Sequence, residues 1–382
     1  MSIDYVEVRG GDLQLRGIID TAMSVIWHSV FFGVGDFEIY AQATHENVAL
    51  LGIGNYVTRP DDLEVGIIEK IEIADDPQNG KMITASGRFA KSLLDRRLIY
   101  NLSGTVNTPT ILRGKVETEV RRVIEENAID CPFDRNRNIP VLALGDMVGF
   151  PHKIVDSGGV AAQKQVSYEN LLSYTDAVLE EYGLAAMVVL DEDAGKLRYV
   201  VYSGEDRSAD SWGSNDPIIF SKDFDNLTST TYQYDATTER NVALIGGAGE
   251  GLERFFSLVG SSQGLQRREM WVDASSVNRS YKDENEEEQT YTDDEYLAML
   301  DATGLQNVNA SRATEVFDGT LDLQNSGLQY NKDYSLGDIV TVQDDNTGNY
   351  FNVQLCEIIE VQDENGYSIE CNSKTVKVEY NE

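Results

Sequence analysis

Residues Asn241–Arg254 read NVALIGGAGEGLER, an apolar run that breaks into four glycines within six residues: Gly246, Gly247, Gly249 and Gly251. A glycine-rich turn after a strand can hold a pyrophosphate on free backbone amides, so this stretch could do chemistry. The spacing does not fit. The dinucleotide fingerprint places its third glycine one residue later, and Glu250 and Glu253 would set negative charge where phosphate must sit. The following LERFFSLV reaches Gly260 after eight residues, too short for a crossover helix. A β-bulge or corner, where glycine supplies positive φ and close backbone approach, accounts for the same residues.

The other reactive side chains are as poorly arranged for catalysis. Asp191, Asp193 and Gly195 have the look of a calcium loop but lack its spacing and closing glutamate, so a hairpin turn is expected. The Glu286–Glu288 run could collect calcium weakly and reads as a hydrated segment. His28, His45 and His152 are scattered, with no cysteine pair nearby to complete a zinc site. No G-x-S-x-G elbow occurs, and the carboxylates are too numerous for any pair to stand out as acid and base. No catalytic, cofactor-binding or metal residue is assigned, and no cofactor is expected.

The bulk numbers narrow the classes further. With 31 basic and 65 acidic residues the 382-residue chain carries a formal charge of -34, which excludes a general nucleic-acid binder. Solubility alone would explain such a surface. Cys131, Cys356 and Cys371 stand at unrelated spacings, and the opening MSIDYVEV lacks a basic-then-apolar leader, so a reducing cytoplasm is the expected site of synthesis. No membrane span is expected, because the best candidate, 22–35, is interrupted by His28 and two serines.

The elements that would carry these residues are mostly strands. DFEIYAQA alternates with Phe37, Ile39 and Ala41 on one side. IIEKIEI and KMITASG flank Asn79-Gly80 and predict an antiparallel hairpin; Asn365-Gly366 predicts another. Short helices are expected near Thr44–Leu51 and Phe89–Leu98. A longer one is expected from Thr110, with Leu112, Val116, Val120, Val123 and Ile124 on one face. Another is expected from an N-cap at Ser167 to a stop at Gly183. Two strands follow around Asp191–Gly195, and strands return after Ser208. Eight acids and no base lie between Asp283 and Glu295; this predicts a solvated loop, nicked first by protease near Glu286, then a helix capped by Thr292 or Asp293 and running through Leu300. That helix is expected to be peripheral to its barrel.

GGAGEGLERFFSLVGSSQGLQRREMWVDAS (Gly246–Ser275) and DYSLGDIVTV (Asp333–Val342) resemble the tail hub proteins of long-tailed bacteriophages and prophages, closest to the siphophage family whose N-terminal part is shared with tail-associated lysins. The opening VEVRGGDLQLRGIIDTAMSVIWHSVFFGVGDFEIYAQAT, with NYVTRPDD and GIIEKIEI, is similar to that family's first domain. The resemblance covers nearly the whole chain. It implies a mainly β fold with an α/β insertion: two tail-tube-like β-barrels, residues 1–110 and 208–382, separated by a small α/β domain, 111–207, with the acidic loop and helical insertion near 283–313. It also implies a non-enzymatic homotrimeric baseplate hub at the virion tail tip, assembled in the host bacterial cytoplasm. Its expected partners are the distal tail protein, tail tube proteins, tape measure protein, and tail fibre or receptor-binding proteins, with genomic DNA passing through the channel without specific binding. The chain ends at Glu382 without a peptidase, lysozyme or fibre extension, so separate proteins are expected to supply those roles.

Two other classes compete. A receptor or carbohydrate-binding tail-tip protein could stack sugars on Trp27, Trp212 or Trp271, although each is expected in a core or an interface. An enzyme, either dinucleotide-dependent through Gly246–Gly251 or a carboxylate-based cell-wall hydrolase, is the remaining class.

Overall fold

A computed structural model describes residues 2–155, 163–211, 215–224, 226–275, 277–282, 288–321, 327–344 and 349–375. Contacts group the chain into two compact units. The first comprises Met1–Lys153, Lys164–Thr231 and Phe317–Glu382; the second comprises Ile154–Gln163 and Tyr232–Val316.

In the first unit, the alternation read in the opening residues forms strands Ala22–Val30 and Asp36–Gln42, with Val25, Trp27, Phe37, Ile39 and Ala41 turned inward. The Asn79-Gly80 turn joins strands Lys70–Asp76 and Gly80–Arg88, and Gly80 takes φ +81°, which a side chain rarely adopts. Gly366, at φ +110°, turns Asn349–Asp363 into Gly366–Thr375 in the same way. A four-stranded sheet in the order Leu15–Ile19, Val6–Arg9, Tyr56–Thr58, Val65–Ile67 contributes Val6, Val8, Ile19 and Val57 to the core around Trp27.

The two ends of the chain meet in one eight-stranded sheet. Its order is Ile219–Ser221, Ile339–Asp344, Asn349–Asp363, Ala22–Val30, Asp36–Gln42, Gly80–Arg88, Lys70–Asp76, with Gly366–Thr375 also paired to Asn349–Asp363. The join is the antiparallel register Glu357↔Val30 to Gln362↔Val25, which sets Glu360 against Trp27. A bulge at Cys356 changes which parity of Asn349–Asp363 points inward: Val353 and Leu355 are buried before it, Ile358 and Glu360 after it. Two cores flank this seam. Trp27, Phe37, Ile39, Ile83 and Phe89 fill one, and Phe31, Phe220, Val342, Val353 and Leu355 fill the other.

Mainly β architecture is thus observed. Of the two closed barrels expected, none appears: among the described residues no sheet closes on itself, because strands that two separate barrels would keep apart pair with each other through the seam. Lys70–Asp76 lies at one end of the sheet with nearly every residue exposed.

Helices Val116–Ile124 and Leu171–Glu180 accompany a three-stranded sheet of Leu142–Leu144, Lys196–Tyr202 and Ala185–Asp191. The first helix begins later than its apolar spacing predicts, because Thr110–Arg113 is a strand and Gly114, at φ +94°, breaks the chain before Val116. The second is capped by Asn170, whose side chain accepts the Ser173 amide at 3.1 Å. Ser167 cannot cap it, since Tyr168 turns to φ +66° and donates its amide to Ile99. Gly183 ends it at φ +67° as expected.

An ionic cluster lies beside the seam. Arg59 makes a bidentate pair with Glu360 at 3.0 and 3.1 Å, both side chains at most 4% exposed, and Tyr367 donates its hydroxyl to Glu360 at 2.8 Å. The Arg59 guanidinium also lies 5.4 Å from the Trp27 ring centre. Burial works against the charge of Arg59, but Asp61 and Glu360 outweigh it and keep the group cationic. Burial pushes Asp62 up to about 6 against the pull of Arg59. Glu64 rises further, to about 8, through burial and then the neighbouring charge of Asp62, with Lys91 opposing. Both carboxylates keep some accessible surface, which reduces what these shifts are worth in stability.

Removing one partner of the seam pair should leave the other charge buried and alone. Arg59→Met is expected to lower unfolding free energy by about 3–5 kcal/mol, and the Arg59→Met/Glu360→Leu double variant by less, in urea titrations. Because Glu64 and Asp62 titrate higher in the folded chain than their ordinary values, their contribution is full below pH ~4 and is lost as pH rises through about 6 and 8. Glu64→Gln should therefore raise the melting temperature at pH 9, by the equivalent of about 1–3 kcal/mol, and leave it unchanged near pH 4.

Candidate functional site

The glycine-rich run lies in the second unit. Val242–Gly246 is a strand whose alternation splits its side chains, with Ala243 and Ile245 buried on one face and Leu244 exposed on the other. It pairs antiparallel with Phe256–Val259 and parallel with Glu269–Asp273, so the glycines form the connection of a hairpin. Within that connection the Gly247 amide donates to Phe255 and the Phe255 amide to Ala248. The Ala248 amide donates to the Tyr296 hydroxyl at 2.8 Å, and that hydroxyl donates to the Val277 carbonyl at 3.0 Å.

Each glycine has a steric reason. A Cβ on Gly246 would lie 2.2 Å from Trp271, one on Gly247 would lie 2.7 Å from Leu300, and one on Gly249 would meet the Glu253 carbonyl at 2.4 Å. Gly249 and Gly251 also hold φ of +99° and +57°. Arg254 closes the turn, donating to the Gly247 and Gly246 carbonyls at 3.1 Å and to Asp273 at 2.8 Å. The Ser275 amide and hydroxyl, with Arg254, hold Asp273 below the usual carboxylate range. The amides of Gly247 and Ala248 serve the fold, and the helical turn that follows, Gly251–Glu253, is only three residues long and carries Glu253.

The helix Asp293–Ala310 packs on this sheet, with Tyr296 and Leu300 wholly buried against Ala243, Ile245 and Val272. Thr292 caps it in a reciprocal capping box with Glu295. Tyr296, Leu300 and Val308 place it in the core of the second unit. It also runs past Leu300 to Ala310, because Gly304 sits where a Cβ would be 2.5 Å from Ile245, so close packing outweighs the weak helix propensity of ATGLQNVNA. The expected acidic loop at 283–287, with Glu286, lies outside the described residues.

The remaining candidates separate clearly. Asp191 accepts the Ala194 amide at 2.9 Å and pairs with Arg198, and Gly195 takes φ +58°, which is the geometry of a hairpin turn. His28 lies between Asp36 at 3.3 Å and Glu357 at 3.8 Å on the seam. Among the described residues no group of three or more His, Cys, Asp or Glu side chains is set to hold a metal, and no helix is long and apolar enough to cross a membrane. Trp27 is core, so it cannot stack on a sugar; Trp212 lies outside the described residues; Trp271 is 49% exposed.

Residues 5–372 match the model of the siphovirus ReqiPepy6 Gp37-like protein family. The chain belongs to that family. The phage-tail resemblance of Gly246–Ser275 and Asp333–Val342 is thereby borne out. The fold is shared with the 43 kDa tail protein of prophage MuSo2 from Shewanella oneidensis, at TM-score 0.55 and 12% identity over 98% of both chains. It is also shared with a tail protein of Neisseria meningitidis MC58, at TM-score 0.52 and 14% identity over 97% of this chain and 96% of the other. Prophage tail protein gp18 of Listeria monocytogenes matches at TM-score 0.53 and 10% identity, over 98% and 95%. No curated protein sequence matches the chain.

Two substitutions test the glycine turn. Gly249→Ala must strain a positive-φ backbone and displace the Glu253 carbonyl, so it should destabilise the second unit by about 1–3 kcal/mol. Tyr296→Phe strands the Ala248 amide and Val277 carbonyl and should cost about 1–2 kcal/mol. Amide exchange in Val242–Gly246 and Phe256–Val259 should accelerate in both variants, with exchange at the seam unchanged.

Proposed function

We propose that this phage tail protein is a non-enzymatic hub at the tail tip, three copies of which ring the DNA exit channel and join the tail tube and distal tail ring to the tip. One observation carries the reading: a single chain holds two β cores welded side by side through the Ala22–Val30 and Asn349–Asp363 strands. Each core serves as one tube-like module, so three chains present six modules to a six-fold tube and pass to three-fold symmetry below it. The correspondence of nearly the whole chain with prophage tail proteins supports this division of labour.

The charge of -34 fits a channel wall. Lumen-facing carboxylates keep exiting DNA from adhering, where a basic lining would retain it. The tape measure and fibre or receptor-binding proteins are the further contacts this position requires, and the virion tail tip, reached after assembly in the host cytoplasm, is its location. The half-exposed Trp271 favours a second reading as a sugar-binding tip protein, but Arg254 already lies 5.2 Å from the centre of that ring.

Native mass measurement of the purified chain, alone and mixed with distal tail and tail tube proteins, should give a species three times 42.5 kDa. Phage particles made without the protein should fail to form tails. Complete, infectious tails lacking it would refute the hub role.

A further inference from the structure

The three-stranded sheet of the second unit has one face covered by the helix Asp293–Ala310 and, among the described residues, one face bare of helices. Strand alternation sends Leu244, Phe256, Leu258 and Trp271 to the bare face, at 43%, 50%, 53% and 49% exposure. Register sets them together: Leu244 is opposite both Leu258 and Trp271, and the Phe256 and Trp271 rings lie 6.3 Å apart. Leu252 and Leu265, in the turns at the two ends of the sheet, are wholly exposed. Four half-exposed large side chains make an apolar area of roughly a few hundred Å², the size at which a soluble surface begins to mark an interaction site.

The charges at its edge are already matched. Arg254 pairs with Asp273 at 2.8 Å and Arg267 with Glu269 at 2.6 Å. The segment 239–282 holds five acids and six bases, against 65 and 31 in the whole chain. Two copies of a chain this acidic repel each other over most of their surfaces, and a contact between them is favoured where net charge is near zero and apolar area is available. An interface of ordinary size buries about 800 Å² per partner, with an apolar, aromatic-rich centre and a polar rim. Leu244, Phe256, Leu258 and Trp271 supply such a centre, and the two ion pairs supply the rim.

We propose that this sheet face is a contact to a second copy of the chain, with Trp271 as its anchor. The proposal rests on the ring reading and deepens it. In a cyclic assembly the contact is heterologous, so the face meets a different surface of the neighbouring copy. A partner recruited by charge would instead need unpaired charge around the anchor, and the rim pairs leave little.

Sedimentation velocity of the full chain over a wide concentration range tests this, with Trp271→Ser and Leu258→Lys as patch variants and Ile53→Lys, at another exposed position, as control. Both patch positions are exposed, so the variants should fold, as circular dichroism would verify. Wild type and control should assemble alike, and each patch variant should associate at least ~10-fold more weakly. Patch variants that assemble as wild type would overturn the assignment of this face while leaving the ring intact. A wild-type chain that stays monomeric at every concentration, alone and with tail tube and distal tail proteins, would remove the ring and this contact with it. Quenching of wild-type tryptophan fluorescence by chitohexaose, absent in Trp271→Ser, would give the face to a glycan and overturn the proposal.

Discussion

The pairing of Ala22–Val30 with Asn349–Asp363 is the constraint on which the first unit depends. It joins residues more than three hundred positions apart, so its loop-closure entropy is large and must be met by what the seam buries. Trp27, on this strand, and Phe31, just past its end, enter different cores, and the partner strand supplies Val353, Leu355 and Ile358 to the core of Phe31. Tyr367 packs against both cores and donates to Glu360. Shared side chains of this kind tie the two cores into one cooperative body, since neither can open without exposing part of the other.

The Arg59–Glu360 pair adds specificity to that seam more than net stability. Two charges taken out of water recover their desolvation only with near-ideal geometry, and here the geometry is bidentate with a third hydrogen bond from Tyr367. A strand slipped by one residue would turn Glu360 to the other face and leave Arg59 with Asp61 as its remaining carboxylate. The register of two strands distant in sequence is therefore enforced by a polar contact as well as by apolar packing.

The second unit is organised around a different economy of space. Its glycines bring backbone and side chains closer than any Cβ allows, at Gly246 against Trp271, Gly247 against Leu300 and Gly304 against Ile245. The Tyr296 hydroxyl satisfies a donor and an acceptor in the tightest part of the turn. Packing is dense on the helix side, while Leu244, Phe256, Leu258 and Trp271 on the opposite face stay about half-exposed.

The local elements were legible in the sequence wherever a short-range rule governs them. Asn79-Gly80 and Asn365-Gly366 marked hairpins because Gly80 and Gly366 supply the positive φ that the turns need, and Thr292 marked a helix start. Trp27, Trp212 and Trp271 could not be told apart by type, since burial depends on the strand across the sheet. The Arg59–Glu360 pair carried no local signal, because the two residues stand 301 positions apart and the partner that Arg59 has near it in sequence is Asp61. Tertiary structure alone decided that the chain ends share one open sheet in place of two closed barrels, and that the last helix is core to its own unit. Turns and caps depend on the few residues that form them, whereas sheet order and burial depend on partners that only the folded chain brings within reach.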